Sequence, residues 1–357
     1  MAAVEKKSVV IVGGGIAGAN AAKALQDFAD VTLIDPKEYF EIPWAKLRCM
    51  VEPRFGERSV FLHEEYLKSG KLVISAVTSV TEEAVITATG EQVKYDYLVL
   101  ATGTPYDGPP TKPERLQQME ADNKKIKDAK TVVIIGGGPT GVELAAEIAV
   151  DFPDKKVILI HRGSRLIEFV GEKASRKALA WLKSKNVEVH LNERVDLNSI
   201  SDTTRSFTTR SGLSIEADCH FVCIGKKMGS SWLKDTSFVE SLDERGQIKV
   251  DSSLRVEGKT NVFAAGDIIN VKELKQGFCA QKHAAVIATN IKKLSKDPKQ
   301  PKLSTYKASS AMAIVSLGRY TAVGQFPFGT FSGRLPGMLK SKDLFVGPTR
   351  KALGLKS

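Results

Sequence analysis

Residues 9–18 read VVIVGGGIAG, and residues 132–141 repeat the same pattern as VVIIGGGPTG. Each stretch passes from an aliphatic run into G-x-G-x-x-G, which predicts a strand, a tight turn and a helix. The six glycines are Gly13, Gly15, Gly18, Gly136, Gly138 and Gly141. In this motif they permit the turn, let a pyrophosphate approach the backbone and let the helix pack closely on the strand. Two copies predict two dinucleotide sites, and such a chain is expected to pass electrons from one dinucleotide to the other.

The bulk composition indicates a globular α/β protein of two or three packed units. The chain has 357 residues, of which 42% are hydrophobic, and no stretch approaches the length of apolar sequence that a membrane span needs. The cysteines lack the spacing of a disulfide framework or a zinc site, which indicates a reducing compartment. They are Cys49, Cys219, Cys223 and Cys279. Because the first strand begins near Ser8, we expect no leader peptide and a cytoplasmic location.

Acids and small residues mark the strand ends of the first unit. Asp35 ends the second strand, twenty residues after Gly15. Its carboxylate can accept hydrogen bonds from an adenosine ribose; the alternative is a surface aspartate that begins a turn. Far along the chain, FAAGD ends an apolar strand in Gly266 and Asp267, and that acid can hydrogen-bond the ribityl chain of a flavin. Another strand ends in the small-residue turn Ala101, Thr102 and Gly103.

The second fingerprint opens the helix GVELAAE, with Glu143 in its first turn. The helix dipole stabilises a carboxylate there, and a nicotinamide would approach another cofactor at this place; an ordinary N-terminal acid is the alternative. The following strand ends in His161 and Arg162, where an acid would bind the ribose of NADH. Cationic groups at this position suit the 2′-phosphate of NADPH, unless they face solvent.

The fold class that follows is α/β. We predict two Rossmann-like dinucleotide-binding domains, the second inserted into the first, and a small C-terminal α+β region. The FAD-binding domain takes residues 1–113 and 246–300, the NAD(P)H-binding domain takes 114–245, and the C-terminal region takes 301–357. A charged helix is expected over Lys112–Asp128, and a pair of strands is expected between residues 301 and 330.

The net charge of +11 indicates anionic partners, and the excess lies toward the C-terminus. Residues 334–357 alternate cations with apolar side chains, as an interfacial segment on anionic lipid does; the alternative is a segment docked on the protein body. Nucleic acid is disfavoured, because the sequence lacks interleaved aromatic and basic residues. Arg48, in an aromatic-rich loop, could neutralise a pyrophosphate or form a surface ion pair. The oligomeric state is left open, a homodimer included.

The order GGGIAG, ATGTP, GGGPTGVELAAE and FAAGD resembles the pyridine nucleotide–disulfide oxidoreductase superfamily over nearly the whole chain. The sequence lacks the close cysteine pair of the disulfide branch and is similar to the apoptosis-inducing-factor and type II NADH dehydrogenase branch. GVELAAE and KSKDLFVG look most like the ferroptosis suppressor family, also called apoptosis-inducing factor homolog 2. This resemblance implies an FAD-dependent NAD(P)H:quinone oxidoreductase at a membrane surface, with a role against lipid peroxidation.

The resemblance also implies residue roles. It places Glu143 near flavin and nicotinamide and Lys340 near the quinone. The implied FAD contacts are Gly14, Gly15, Ile16, Ala17, Gly18, Arg48, Val77 and Asp267. Ala2 departs from the myristoylated glycine of animal members, which puts membrane attachment in doubt. Two rival functions share part of this pattern: a monodehydroascorbate or ferredoxin-type reductase, and a redox-sensing nucleic-acid-binding protein like apoptosis-inducing factor.

Overall fold

The first fingerprint forms the centre of a parallel sheet. The structure is a computed structural model that describes residues 6–356 except 107, 226–227, 298–301 and 311; Ala2 and the limit predicted at residue 300 lie outside this range. The elements of the first hundred residues are β1 (Ser8–Val12), α1 (Ile16–Leu25), β2 (Asp30–Asp35), β3 (Tyr39–Glu41), α2 (Lys46–Val51), α3 (Gly56–Ser59), β4 (Val60–Leu62), β5 (Lys71–Ile74), β6 (Val77–Val80), β7 (Ala84–Thr87), β8 (Gln92–Lys94) and β9 (Tyr97–Leu100).

The second fingerprint forms a second parallel unit. Its elements are α4 (Lys112–Asp128), β10 (Thr131–Ile135), α5 (Pro139–Asp151), β11 (Lys156–His161), α6 (Glu172–Ser184), β12 (Glu188–Leu191), β13 (Ser206–Thr208), β14 (Ser214–Glu216) and β15 (Cys219–Val222). The rest of the chain forms β16 (Val262–Ala264), α7 (Gly277–Lys296), β17 (Ala313–Leu317), β18 (Thr321–Phe326), β19 (Gly329–Gly333), α8 (Arg334–Lys340) and α9 (Val346–Ala352).

The sheet order confirms the predicted fold class. The first sheet is parallel, in the order β16-β9-β1-β2-β5, and the second is parallel, in the order β12-β11-β10-β15. Strand β16 pairs with β9, so the chain returns to the first sheet after completing the second. The continuous aliphatic runs of β1 and β10 are explained by burial on both faces. The second unit is therefore inserted into the first, while the exact domain limits stay predictions.

The two glycine turns have the same geometry. Gly13 and Gly136 have φ angles of +101° and +121°, which side chains rarely adopt. A β-carbon on Gly18 would lie 1.8 Å from the Gly13 oxygen, and one on Gly141 would lie 1.8 Å from the Gly136 oxygen. These contacts give each glycine the role that the fingerprint predicts, with the third glycine allowing the helix to pack on its own turn.

The C-terminal region contains more regular elements than the pair of strands and the amphipathic tail that the sequence predicts. Strands β17, β18 and β19 form an antiparallel sheet, and two short helices follow it. Leu344 and Leu353 are 2% and 0% exposed, so the end of the tail docks on the protein body. On α8, Leu335, Met338 and Leu339 are 72%, 71% and 59% exposed. The docked alternative therefore holds for the end of the tail, while lipid contact by the exposed face of α8 stays a prediction.

Candidate functional site

Five separate stretches of sequence that carry predicted residues meet around one cavity of about 660 Å³, here called the main cavity. They are the first glycine turn, the end of β2, the start of β6, the turn after β9 and the turn after β16. Twelve of the predicted residues line it: Gly13, Gly14, Gly15, Ile16, Ala17, Asp35, Val77, Ala101, Thr102, Gly103, Gly266 and Asp267. Its volume lies within the range of small-molecule and cofactor sites.

One end of the main cavity fits the phosphates and ribose of a dinucleotide. Gly15 caps the N-terminus of α1, and no atom lies within 4 Å of the place where its β-carbon would be. The free N–H groups of the first helical turn therefore face open space, as an anion site requires. The Gly14 N–H donates to Asp35 Oδ2, and the Lys37 N–H donates to Asp35 Oδ1 at 3.0 Å. These bonds fix the carboxylate at the edge of the cavity.

The opposite end of the main cavity carries a half-buried acid and a lysine. Burial raises the pKa of the Asp267 carboxyl. Lys275 donates from Nζ to the carbonyl oxygens of Ile269 and Val271, at 2.6 and 2.8 Å. Burial lowers the pKa of this ammonium group. Lys275 was missed from the sequence, because its position carries no motif and depends on the path of the loop after β16.

A buried network of polar side chains holds the turn at Gly266. The Gly266 N–H donates to His283 Nδ1 at 3.2 Å, and His283 Nε2 lies 2.9 Å from Glu273 Oε1. Tyr306 OH donates to the other Glu273 oxygen at 2.6 Å. Burial lowers the pKa of His283 to about 4, so the ring is neutral and its proton is on Nε2. His283 therefore positions the backbone beside Asp267.

Arg48 does not line the main cavity. Its side chain is 2% exposed and forms a paired contact with Glu147 of α5, Nε to Oε2 at 2.6 Å and Nη2 to Oε1 at 2.8 Å. Nη2 also donates to the Ser341 oxygen at 3.1 Å. The structure shows Arg48 in a buried ion pair between the two nucleotide-binding units, and its contact with a pyrophosphate stays a prediction.

Glu143 and Lys340 are brought together, although 197 residues separate them in sequence. Lys340 Nζ lies 2.5 Å from Glu143 Oε1 and 2.9 Å from the Ile314 oxygen. The Ser316 N–H donates to the same Glu143 oxygen at 2.8 Å. The pair joins α5 to the C-terminal region. Neither residue lines the main cavity, so their predicted proximity to flavin and nicotinamide stays a prediction.

A second cavity of about 300 Å³, here called the junction cavity, lies between the two units. Thr140, Leu144 and Cys223 of the second unit line one side of it. Lys46 and Tyr106 line both this cavity and the main cavity. A molecule held on the second glycine turn would therefore be next to one held in the main cavity.

At the predicted ribose position of the second unit, the Gly137 N–H donates to His161 Nδ1 at 3.0 Å. Burial lowers the pKa of His161. The sequence predicts a cation at this position. The imidazole is neutral instead, because its Nδ1 lone pair accepts a backbone N–H. Arg162 is exposed, which agrees with the solvent-facing alternative.

The cysteines give no sign of a redox pair. All four are free, and burial raises the pKa of Cys49 to about 11 and of Cys223 to about 12. Within residues 6–356 and outside the gaps named above, no group of three or more His, Cys, Asp or Glu side chains could hold a metal ion. In that same part of the chain, no helix is long and apolar enough to cross a membrane.

A family model described as pyridine nucleotide-disulphide oxidoreductase matches residues 7–288. The chain belongs to this family. It is 32% identical over 373 aligned positions to apoptosis-inducing factor homolog B of Dictyostelium discoideum, with 96% of this chain and 95% of the relative covered. It is 33% identical over 368 positions to ferroptosis suppressor protein 1 of Xenopus tropicalis, covering 98% and 96% of the two chains.

Solved structures of two other proteins share the fold. The sulfide:quinone oxidoreductase of Aquifex aeolicus matches with a TM-score of 0.77 at 18% identity, covering 97% of this chain and 92% of the other. NDH2 of Plasmodium falciparum in complex with NADH matches with a TM-score of 0.71 at 16% identity, covering 98% of both chains. The predicted family and fold are confirmed: the protein is a flavin-dependent NAD(P)H oxidoreductase.

Proposed function

We propose that this protein is an FAD-dependent NAD(P)H:quinone oxidoreductase that works at a membrane surface. The observation that carries the proposal is the main cavity, where residues from five distant stretches are arranged for a dinucleotide. Asp35 ends β2 and Asp267 follows β16, and β1 and β9 lie between these two strands in the sheet, so the two acids lie toward opposite ends of the cavity. A ribose acid and a ribityl acid at opposite ends of one cavity fit FAD better than a mononucleotide.

When bound, FAD would supply the two-electron redox chemistry between NAD(P)H and the acceptor. The chain's own residues would bind and orient the partners. The N-terminus of α1 would hold the pyrophosphate, and Asp35 would hold the adenosine ribose. On the other unit, Gly138 caps α5, and the place of its β-carbon is likewise free of atoms within 4 Å. That open turn would hold the NAD(P)H phosphates beside the junction cavity.

Helix α8 supports an apolar acceptor that arrives from a membrane. Its outer face exposes Leu335, Met338 and Leu339, while its last residue, Lys340, reaches inward to Glu143. Phe328 of the β18–β19 turn is 79% exposed beside this region, stacked on Phe326. An exposed apolar face of this kind marks an interaction surface. A lipophilic quinone held at this surface would lie close to the Glu143–Lys340 pair, because Lys340 is the last residue of α8.

The cations near α8 and the free cysteines indicate the cellular location in which such an enzyme would act. Arg334 begins α8 and Lys342 follows its end, and both are exposed, so a cation lies at each end of the apolar face. This arrangement fits peripheral binding to anionic lipid from the cytoplasmic side. The free cysteines fit a reducing compartment.

The decisive experiment follows the bound flavin by absorbance. The protein is reduced with NADH or NADPH and then mixed separately with a ubiquinone analogue, monodehydroascorbate and an oxidised ferredoxin. Rapid reoxidation by the quinone is expected. Complete reduction by a nicotinamide followed by reoxidation only with monodehydroascorbate or ferredoxin would refute the quinone assignment and leave the flavin assignment standing.

Membrane contact is tested with the triple variant Leu335→Ser, Met338→Ser and Leu339→Ser. Each side chain would bury most of its exposed apolar area in lipid, worth roughly 1 kcal/mol or more apiece. Binding to vesicles with anionic lipid should therefore fall by about 100-fold, measured by co-sedimentation. A matched control changes two exposed apolar residues elsewhere, Leu197→Ser and Val239→Ser. Equal binding by the α8 variant and the wild type would contradict this surface.

A further inference from the structure

The second glycine turn lacks the ribose acid of the first, and a histidine takes its structural place. In the first unit the Gly14 N–H donates to Asp35; in the second the equivalent Gly137 N–H donates to His161 Nδ1 at 3.0 Å. Because Nδ1 accepts, the ring carries its proton on Nε2. The His161 Nε2–H group is buried and has no hydrogen-bond partner among the described residues. The carboxylate acceptor expected for a ribose hydroxyl is missing from this position.

A carboxylate is nevertheless present, supplied from the turn between β11 and α6. Glu168 Oε1 lies 3.9 Å from His161 Nε2, and the Glu168 side chain is 55% exposed. The close approach depends on Gly163, where a β-carbon would lie 2.0 Å from Glu168 Oε1 and 2.8 Å from His161 Nε2. A donor and an acceptor thus stand side by side next to the second glycine turn.

The backbone that carries Glu168 is held in a strained conformation. Ile167 has a φ of +44°, which is rare for a β-branched residue, and it is fully buried. Its N–H donates to the Gly137 oxygen at 2.7 Å, which ties this turn to the glycine turn. Arg165 donates to the oxygens of Val170 and Glu168. Strain of this kind persists where the surrounding structure enforces it, and it gathers at ligand-binding positions.

We propose that Glu168 accepts the adenosine ribose hydroxyl of the nicotinamide dinucleotide and makes the protein prefer NADH over NADPH. The exposed Glu168 carboxylate can accept the hydrogen bonds that a ribose diol donates, and the buried His161 N–H beside it favours the ionised carboxylate. A 2′-phosphate at the same place would meet the carboxylate at short range and be repelled. The inference rests on the proposed function, because it takes the second glycine turn to be the NAD(P)H site. It reverses the NADPH preference that His161 and Arg162 indicate in the sequence.

The test measures binding without redox chemistry, using ADP-ribose and 2′-phospho-ADP-ribose. Both are titrated calorimetrically into the flavin-loaded protein in excess FAD, so that the main cavity is filled. Wild type should bind ADP-ribose at least about tenfold more tightly, as expected for a charge-assisted hydrogen bond. Glu168→Gln keeps the shape and should bring the ratio of the two dissociation constants close to about one, and Glu168→Lys should reverse it. The control is Glu172→Gln, an exposed acid four residues further along that pairs with Arg176.

Three outcomes would overturn the inference. The first is tighter binding of 2′-phospho-ADP-ribose than of ADP-ribose by wild type. The second is an unchanged ratio of the two dissociation constants in a Glu168→Gln variant that melts at the same temperature as wild type. An equal shift in the Glu172→Gln control would show a general charge effect instead. Failure of wild type to bind either ligand would refute the nicotinamide site itself, and with it the proposed function, which separates the two claims.

Discussion

Replacing Arg48 by alanine should destabilise the whole protein without removing a direct flavin contact. Arg48 and Glu147 side chains are both 2% exposed, and the guanidinium also donates to the Ser341 oxygen at 3.1 Å. Arg48→Ala would leave the Glu147 carboxylate buried without its counter-charge. Removing one partner of a buried pair costs about 3–5 kcal/mol. For units of this size that corresponds to a fall in melting temperature of roughly 10 °C.

The pH dependence of this defect has a definite sign. Burial raises the pKa of Glu147 above its ordinary value of 4.5, and Arg48 opposes that shift. Without Arg48 the folded-state pKa rises further, so the folded state binds the proton more tightly than the unfolded chain. The stabilisation that comes from protonating Glu147 is then fully present below pH 4.5, and it is lost as the pH rises through the folded-state pKa of Glu147. The Arg48→Ala defect should therefore be larger at pH 8 than at pH 5.

The assay is thermal melting of the FAD-saturated protein by circular dichroism, with an FAD titration in parallel. The double variant Arg48→Met with Glu147→Leu should recover most of the lost stability, because no buried charge remains. The control Asp128→Asn breaks the exposed pair with Lys124 and should shift melting by less than about 2 °C. Unchanged melting of Arg48→Ala together with weaker FAD binding would refute this reasoning and support the pyrophosphate contact predicted from sequence.

Two further predictions concern the other buried polar groups. Lys340→Met should lower quinone turnover by about tenfold or more and also destabilise the protein, since Glu143 loses its counter-charge. Adding Glu143→Gln should restore the melting temperature but not the turnover. Recovery of both would contradict a role of Lys340 in the reaction. The neutral His283, with a pKa lowered to about 4 by burial, contributes stability above pH 6.5 that is lost as pH falls through the folded value. Wild type should therefore lose melting temperature between pH 7 and pH 4, and His283→Gln should lose less. The difference between the two proteins should correspond to up to about 3 kcal/mol of unfolding free energy. An equal pH dependence of melting in both proteins would contradict this prediction.

The parts of the fold that were predictable are those with strong local signals. Helix α4 covers Lys112–Asp128 as predicted, because Thr111 caps it by accepting the Glu114 N–H and Pro113 lies in its first turn. The two fingerprints predicted both parallel units, because the third glycine of each packs against the first glycine of the same turn, which is a local contact. Strand β19 was not predicted, since GTFSG is short and rich in glycine and its pairing partner determines it.

The site was predictable where a single motif positions a residue and not where two distant segments meet. Asp35 and Asp267 follow from strand ends, and both line the main cavity. Glu147 is one helical turn beyond Glu143 on α5, yet sequence offers no signal that it meets Arg48, 99 residues away. Glu168 was missed for a different reason: it follows a residue in a left-handed conformation that an isoleucine rarely adopts, so no turn rule indicates its direction.

Helix α5 shows why deleting the C-terminal tail would be a poor test of membrane binding. Two of its three acids are each paired with a cation from a different part of the chain, Glu143 with Lys340 and Glu147 with Arg48. Arg48 in turn donates to the oxygen of Ser341, next to Lys340. Truncation before α8 would therefore remove Lys340 from the first pair and the Ser341 acceptor from Arg48 of the second. It would disturb the junction of the two units together with the exposed apolar surface. Point substitutions on the outer face of α8 change only the surface, so loss of vesicle binding by those variants can be attributed to lipid contact.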